Sequence, residues 1–242
     1  MIRLAALIAV ASPAWAAPGA SLFGLPVQGS QSGTAPTAAL QIVLLLTALT
    51  FVPALIVALT PFLRITIVLH FLRQALGTQT APSNQVLLGL SLFLSFLIMQ
   101  PVLSEAYSRG WEPFDQGKTS GAEAWEQGSK PIKKFLLRFA REKDIALLLE
   151  ISKSPAPKTP EELELRVLAP AYVLSELRAG FQIGAVIFLP FLVIDLVVAS
   201  VTLSIGMVQL PPVMISAPFK ILLFVLVDGW NLVVGSLMKS FA

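Results

Sequence analysis

The stretch PFKILLFVLVDGW, residues 218 to 230, reads as the middle of a membrane helix, yet it carries Lys220 and Asp228, and the apolar run before it carries Asp195. One charged side chain at a bilayer centre costs about 2.5–3.5 kcal/mol on insertion scales. Three of them together ask for roughly 7–10 kcal/mol on that scale, so each needs compensation. On one continuous helix Lys220 and Asp228 lie about 12 Å apart along the axis, too far for direct contact. They also stand about 80° apart around it. Each therefore looks elsewhere for a partner, and Asp195 on the preceding segment is a natural mate for Lys220, in the same chain or in an adjacent copy. Three roles remain open for these residues. They form a salt bridge that only neutralises cost, a charged seam along which identical subunits register, or a proton path.

Composition extends this reading to the whole chain. The 242 residues are 55% hydrophobic and 13% charged, with a mean hydropathy of +0.79, which is too apolar for an ordinary soluble domain. No charge falls between Arg3 and Arg64, between Arg73 and Glu105, or between Asp195 and Lys220. Uncharged runs longer than about 18 residues are membrane-helix candidates. By contrast, residues 104–180 hold 12 Lys and Arg and 12 Asp and Glu, the composition of a water-facing segment set into a membrane protein. That segment is locally neutral, so the net charge of +3 gives no signal for nucleic acid, and no basic stripe interleaved with aromatics appears. Cysteine is absent, which removes disulfides and thiolate metal sites.

The first residues, MIRLAALIAVASPAWA, give Arg3, an apolar core and Ala14-Trp15-Ala16. This is the pattern of a secretory leader cut after Ala16; the competing reading is a short anchor, for which the apolar run is too short. A Gly/Pro/Ser/Thr-rich lead-in follows over 17–38. With the leader removed, residues 39–63 run inward and 86–103 outward. Residues 104–180 are then external, and 181–242 form a second apolar hairpin. Arg64, His70 and Arg73 flank the first inner turn, as the positive-inside rule wants.

The apolar segments are rich in proline, with Pro53, Pro61, Pro190, Pro211, Pro212 and Pro218. Proline kinks or breaks a helix, so the spacing predicts proline-broken helices whose freed carbonyls meet neighbouring helices. Gly180-x-x-x-Gly184 favours a close helix approach. In the external segment, Thr159-Pro160-Glu161-Glu162 has the form of a capping box. Ile132, Phe135, Leu136, Phe139 and Leu147 recur at near-helical spacing.

Catalytic signatures are scarce. No phosphate-binding loop, zinc-protease helix, nucleophile elbow or dinucleotide fingerprint occurs. His70, the single histidine, suits an interfacial packing role better than metal ligation. Asp195 and Asp228 raise an aspartic intramembrane hydrolase, against which stand the nearby Lys220 and the missing GxGD. The residues point to no enzyme and no cofactor.

Four stretches in order, LRQALGTQTAPSNQVLLGLSLFLSF (72–96), LAPAYVLSELRAGFQIG (168–184), LPFLVIDLVVASV (189–201) and PFKILLFVLVDGW (218–230), resemble the FliP/SctR family of type III secretion export gates. The leader and the long external segment are similar to its flagellar branch. The resemblance implies an all-α fold of membrane-type helical hairpins with an external helical segment. It implies assembly as a homo-oligomer of five copies with FliQ-like and FliR-like membrane proteins, in a pore-forming superhelical cone. Such a gate passes unfolded export substrates across the bacterial inner membrane at the flagellar basal body, with the external segment periplasmic. The alternative is an ion or proton channel subunit using Asp195, Lys220 and Asp228. In the family the turn between the last two apolar segments carries consecutive methionines that line a gasket. Here the turn reads Gly206-Met207-Val208-Gln209-Leu210-Pro211-Pro212, so the resemblance implies a constriction at Met207, Val208 and Leu210, of which only Met207 is a thioether. Phe135 and Glu176 resemble family subunit contacts; read as residues alone, they are core packing and a solvated face.

Overall fold

A computed structural model describes residues 35–78, 80–153, 157, 159–207 and 211–241. The expected leader, residues 1–16, and residues 17–34 of the expected lead-in lie outside the described residues. All regular structure among those described is helical. The order is α1 (Ala35–Ala58), α2 (Phe62–Ala75) and α3 (Asn84–Ala106), which passes through a π-helical turn (Tyr107–Trp111) into α4 (Glu112–Asp115). Then follow α5 (Gly121–Phe139), α6 (Glu142–Ser152), a short 3-10 turn (Pro160–Glu162), α7 (Leu165–Ser204), α8 (Pro212–Leu226) and α9 (Gly229–Lys239). Residues up to Leu49 form one unit and residues from Thr50 another. Among the described residues three stretches are long and apolar enough to cross a membrane, Leu40–Ala58, Asn84–Asp115 and Leu165–Ser204. The bent pair of α8 and α9 is a fourth candidate if counted as one span.

The core of the larger unit is built on α2. Ile65, Val68, Leu69, Leu72 and Ala75 recur at one face of a 3.6-residue period, and all are buried. This face packs along α7. Gly180 and Gly184 allow the approach: a Cβ at Gly180 would lie 3.1 Å from Ile67, and one at Gly184 would lie 2.6 Å from the Phe71 ring. The contacts advance together along both helices, so α2 and α7 run parallel. Arg64, His70 and Arg73, expected to flank an inner turn, all lie on the 14-residue helix α2, and Arg64 is bonded to Glu176 on α7.

The prolines divide. Pro53, Pro190 and Pro218 lie inside continuous helices, so the expected breaks at these three are corrected. Pro61 stands at the junction of α1 and α2, and Pro211 and Pro212 open α8. A further break falls at Asp228, where no proline stands: its backbone is left-handed (φ 51), and α9 leaves α8 at 66°. α7 runs unbroken through the expected boundary at 180/181. It ends in a Schellman motif, with Gly206 N–H to Leu203 O at 3.0 Å and Met207 N–H to Thr202 O at 3.0 Å. Gly206 supplies the positive φ of 81 that this motif requires.

The capping box expected at Thr159 is also corrected. Thr159 caps nothing with its side chain, Pro160–Glu162 is a single 3-10 turn, and the next helix starts at Leu165. A real box stands at Ser120, whose hydroxyl accepts from Glu123 N–H at 3.3 Å while Glu123 accepts from Ser120 N–H at 3.0 Å. The backbone and hydroxyl bonds from Ser120 hold the Glu123 carboxyl below its ordinary range. Its stabilising effect is therefore full above the unfolded carboxylate range and is lost as pH falls through the lowered folded value. Ser120→Ala is expected to speed amide hydrogen exchange in the first turn of α5 about fivefold at neutral pH, with the difference shrinking in acid.

Where α5 crosses the π turn, Gly110 and Gly128 meet backbone to backbone. A Cβ at Gly110 would lie 2.6 Å from Ala124 O and 2.7 Å from Gly128 Cα. Backbone cannot rotate away as a side chain can, so Gly110→Ala is expected to cost about 1–3 kcal/mol, read as a lower melting temperature of helicity in detergent.

Candidate functional site

Among the described residues, two ion pairs bring a buried cation against α7. The first is Arg64, a buried side chain on α2. Its Nε donates to Glu176 Oε2 at 2.9 Å, and its Nη2 donates to Glu176 Oε1. The fork geometry suits guanidinium and carboxylate. Nη1 donates to Ser240 Oγ at 3.1 Å and to Ser240 O at 3.4 Å. The guanidinium also lies over the Phe241 ring at 3.9 Å and near the Phe139 ring at 5.6 Å. One cation thus joins α2, α5, α7 and the segment after α9. Beside it Ser175 donates to Asp144 Oδ2 at 2.7 Å and accepts from Arg141 N–H at 2.9 Å, which docks the start of α6 on α7.

The second node lies deep in the apolar length. Lys220 Nζ donates to Asp195 Oδ2 at 2.6 Å, and Ser216 Oγ donates to Asp195 Oδ1 at 2.5 Å. The Lys220 side chain is 2% exposed and that of Asp195 24%. The partner of Lys220 is therefore in its own chain, and both carboxylate oxygens of Asp195 are occupied. Asp228 does not join this pair. It is exposed at the break between α8 and α9 and accepts from Asn231 Nδ2 at 3.1 Å. The expectation of one continuous helix through Lys220 and Asp228 is corrected accordingly.

Phe135 is 8% exposed and Glu176 0%. Phe135 packs on Phe139 and Tyr172. The solvated-face reading of Glu176 is corrected by its burial against Arg64. Met207 is exposed after the Schellman turn; Val208 and Leu210 lie outside the described residues. Among the described residues no group of three His, Cys, Asp or Glu is placed to hold a metal ion. The residue that sequence reasoning missed is Arg64. Its signal was available in Ile65, Val68, Leu69 and Leu72 around it, which place it on a helix that one face buries.

A family model described as the FliP family matches residues 45–237. The chain belongs to the FliP family. It is 51% identical over 236 residues to a flagellar biosynthetic protein FliP of Pectobacterium carotovorum subsp. carotovorum, covering 97% of this chain and 90% of that protein. The FliP of Bacillus subtilis strain 168 is 50% identical over 201 residues, covering 83% of this chain and 91% of its own length. The FliP of Caulobacter vibrioides is 48% identical over 201 residues, with 83% and 76% covered. All four charges of the two nodes lie inside the FliP-family match, whereas Ser240 and Phe241 lie beyond it.

Proposed function

We propose that this chain is a structural, pore-forming subunit of the flagellar type III protein export gate in the bacterial inner membrane, passing unfolded export substrates. The observation that carries the reading is the FliP-family match over 45–237, with relatives about half identical over most of their length that are flagellar biosynthetic proteins. The fold is in keeping with it. Apolar side chains such as Phe93, Val186, Leu196 and Leu226 stand exposed along several helices, a surface that only lipid or other subunits would cover.

On this reading five copies assemble with FliQ-like and FliR-like membrane proteins. A leader over residues 1–16 is removed and a lead-in over 17–38 follows it; apolar hairpins over 39–103 and 181–242 flank a periplasmic segment over 104–180. Met207, Val208 and Leu210 form the constriction. Asp195 and Lys220 set the geometry of the α7–α8 hairpin, and through it the register of neighbouring copies. The pairing of Asp195 with both Lys220 and Ser216 argues for a neutralised structural node over a proton relay, which needs a carboxylate free to change partners.

The test is native mass spectrometry of the detergent-extracted chain co-expressed with its FliQ-like and FliR-like partners. A discrete complex with about five copies of this chain is the expected result. A monomer that never enlarges with those partners would overturn the reading.

A further inference from the structure

Between α7 and α9 lies an open groove of about 440 Å³, lined by Gln182, Ile183, Val186, Ile187, Leu232, Val233 and Ser236. That volume lies in the range of small-ligand sites. Both walls carry the same sequence of chemistry. On α7, Arg178, Gln182 and Val186 follow at intervals of four and share one face; on α9, Lys239, Ser236 and Leu232 do the same at intervals of three and four. Each wall thus passes from cation, through amide or hydroxyl, to aliphatic side chain. The cationic ends lie level with each other, because Arg64 binds both Glu176, beside Arg178, and Ser240, beside Lys239. A third cation joins them, since Arg141 Nη2 donates to Gln182 Oε1 at 2.7 Å.

The exposed charge at this lip is positive. Arg178 stands 3.3 Å from Asp144, but the Asp144 side chain is 2% exposed and that of Arg178 46%, while Lys239 is exposed. The lip falls where α7 leaves the charged segment for the uncharged run 179–194. An apolar helix seated here would desolvate Lys239, Arg141 and the exposed side of Arg178 and bring no counter-charge of its own, which is unfavourable. An anionic amphiphile meets each zone with its match.

We propose that the α7–α9 groove is a phospholipid site: an acyl chain lies against Val186, Ile187 and Leu232, and an anionic phosphate lies against Arg178, Lys239 and Arg141. The site is independent of the export-gate reading, since it uses one copy of the chain.

The full chain, extracted and delipidated in mild detergent, is titrated with phosphatidylglycerol or with phosphatidylcholine and read by native mass spectrometry. Phosphatidylglycerol adducts are expected at concentrations on the order of tenfold lower, from the attraction of the basic residues for anionic headgroups. Arg178→Gln with Lys239→Gln should remove that preference, and Val186→Trp should remove adducts of both lipids by filling the groove. Because Arg178 also faces Asp144, Lys239→Gln alone carries the charge test if the double variant fails to fold, and Leu232→Trp stands in for Val186→Trp in the same way. Equal uptake of the two lipids by the unaltered chain overturns the proposal, as does a preference that survives loss of the cations or binding that survives the tryptophan. The same spectra give copy number. A fall in copy number at unchanged lipid uptake would assign the groove to a second copy and overturn the lipid site, leaving the export-gate reading intact.

Discussion

Arg64→Met lowers the stability of the fold by about 3–5 kcal/mol, the range for removing one partner of a buried pair. The loss has a specific origin. Glu176 is fully buried, and without the guanidinium its carboxylate keeps neither counter-charge nor the two donors it now accepts from. Phe241 and Ser240 lose the cation that ties them to α2 and α7. For a chain of this length the melting temperature should fall by roughly 10 °C, measured by circular dichroism in detergent. Arg64→Met with Glu176→Met should recover most of that fall, because a buried pair replaced by well-packed apolar side chains is often neutral or stabilising. If the double variant melts no higher than Arg64→Met alone, the pair is not what holds these helices together.

The second node should respond asymmetrically. Asp195→Asn strands Lys220, which is 2% exposed and deep in the apolar length, and is expected to cost about 3–5 kcal/mol. Lys220→Met strands Asp195, which is 24% exposed and keeps its bond from Ser216, so its cost should be smaller, about 2 kcal/mol. Asp195→Leu with Lys220→Met should melt above either single variant. Motility in soft agar reads the same series in cells: both singles are expected to lose it, and the double to recover part. A chain whose melting is untouched by Asp195→Asn while motility is lost would instead favour a proton path.

The apolar segments and the meeting of Asp195 with Lys220 follow from charge spacing, because an uncharged run announces a membrane helix and a charge within it demands a mate; the all-α class is implied by the resemblance to the FliP/SctR family. α2 was not legible in that way. Arg64, His70 and Arg73 look like the basic edge of a loop, and only Ile65, Val68, Leu69 and Leu72 between them tell that the segment is helical and buried on one face. Glu176 looked solvated for a related reason: its partner is 112 residues away, and sequence gives no sign of a contact at that separation. The break at Asp228 escaped because the left-handed conformation there is held by a non-glycine residue inside an apolar run. Thr159 misled in the opposite sense. It has the residues of a capping box, but the chain makes one turn at Pro160 and starts its helix later.

α7 has one more consequence. Its 40 residues span about 60 Å at 1.5 Å per residue, twice the roughly 30 Å of a hydrocarbon core. Glu176 and Asp195 grip it at two heights about 28 Å apart, one tied to α2 and one to α8. Two grips at different heights fix the tilt of a helix as well as its position, so the turn at Gly206 and Met207 is held in place about 45 Å along α7 from Glu176.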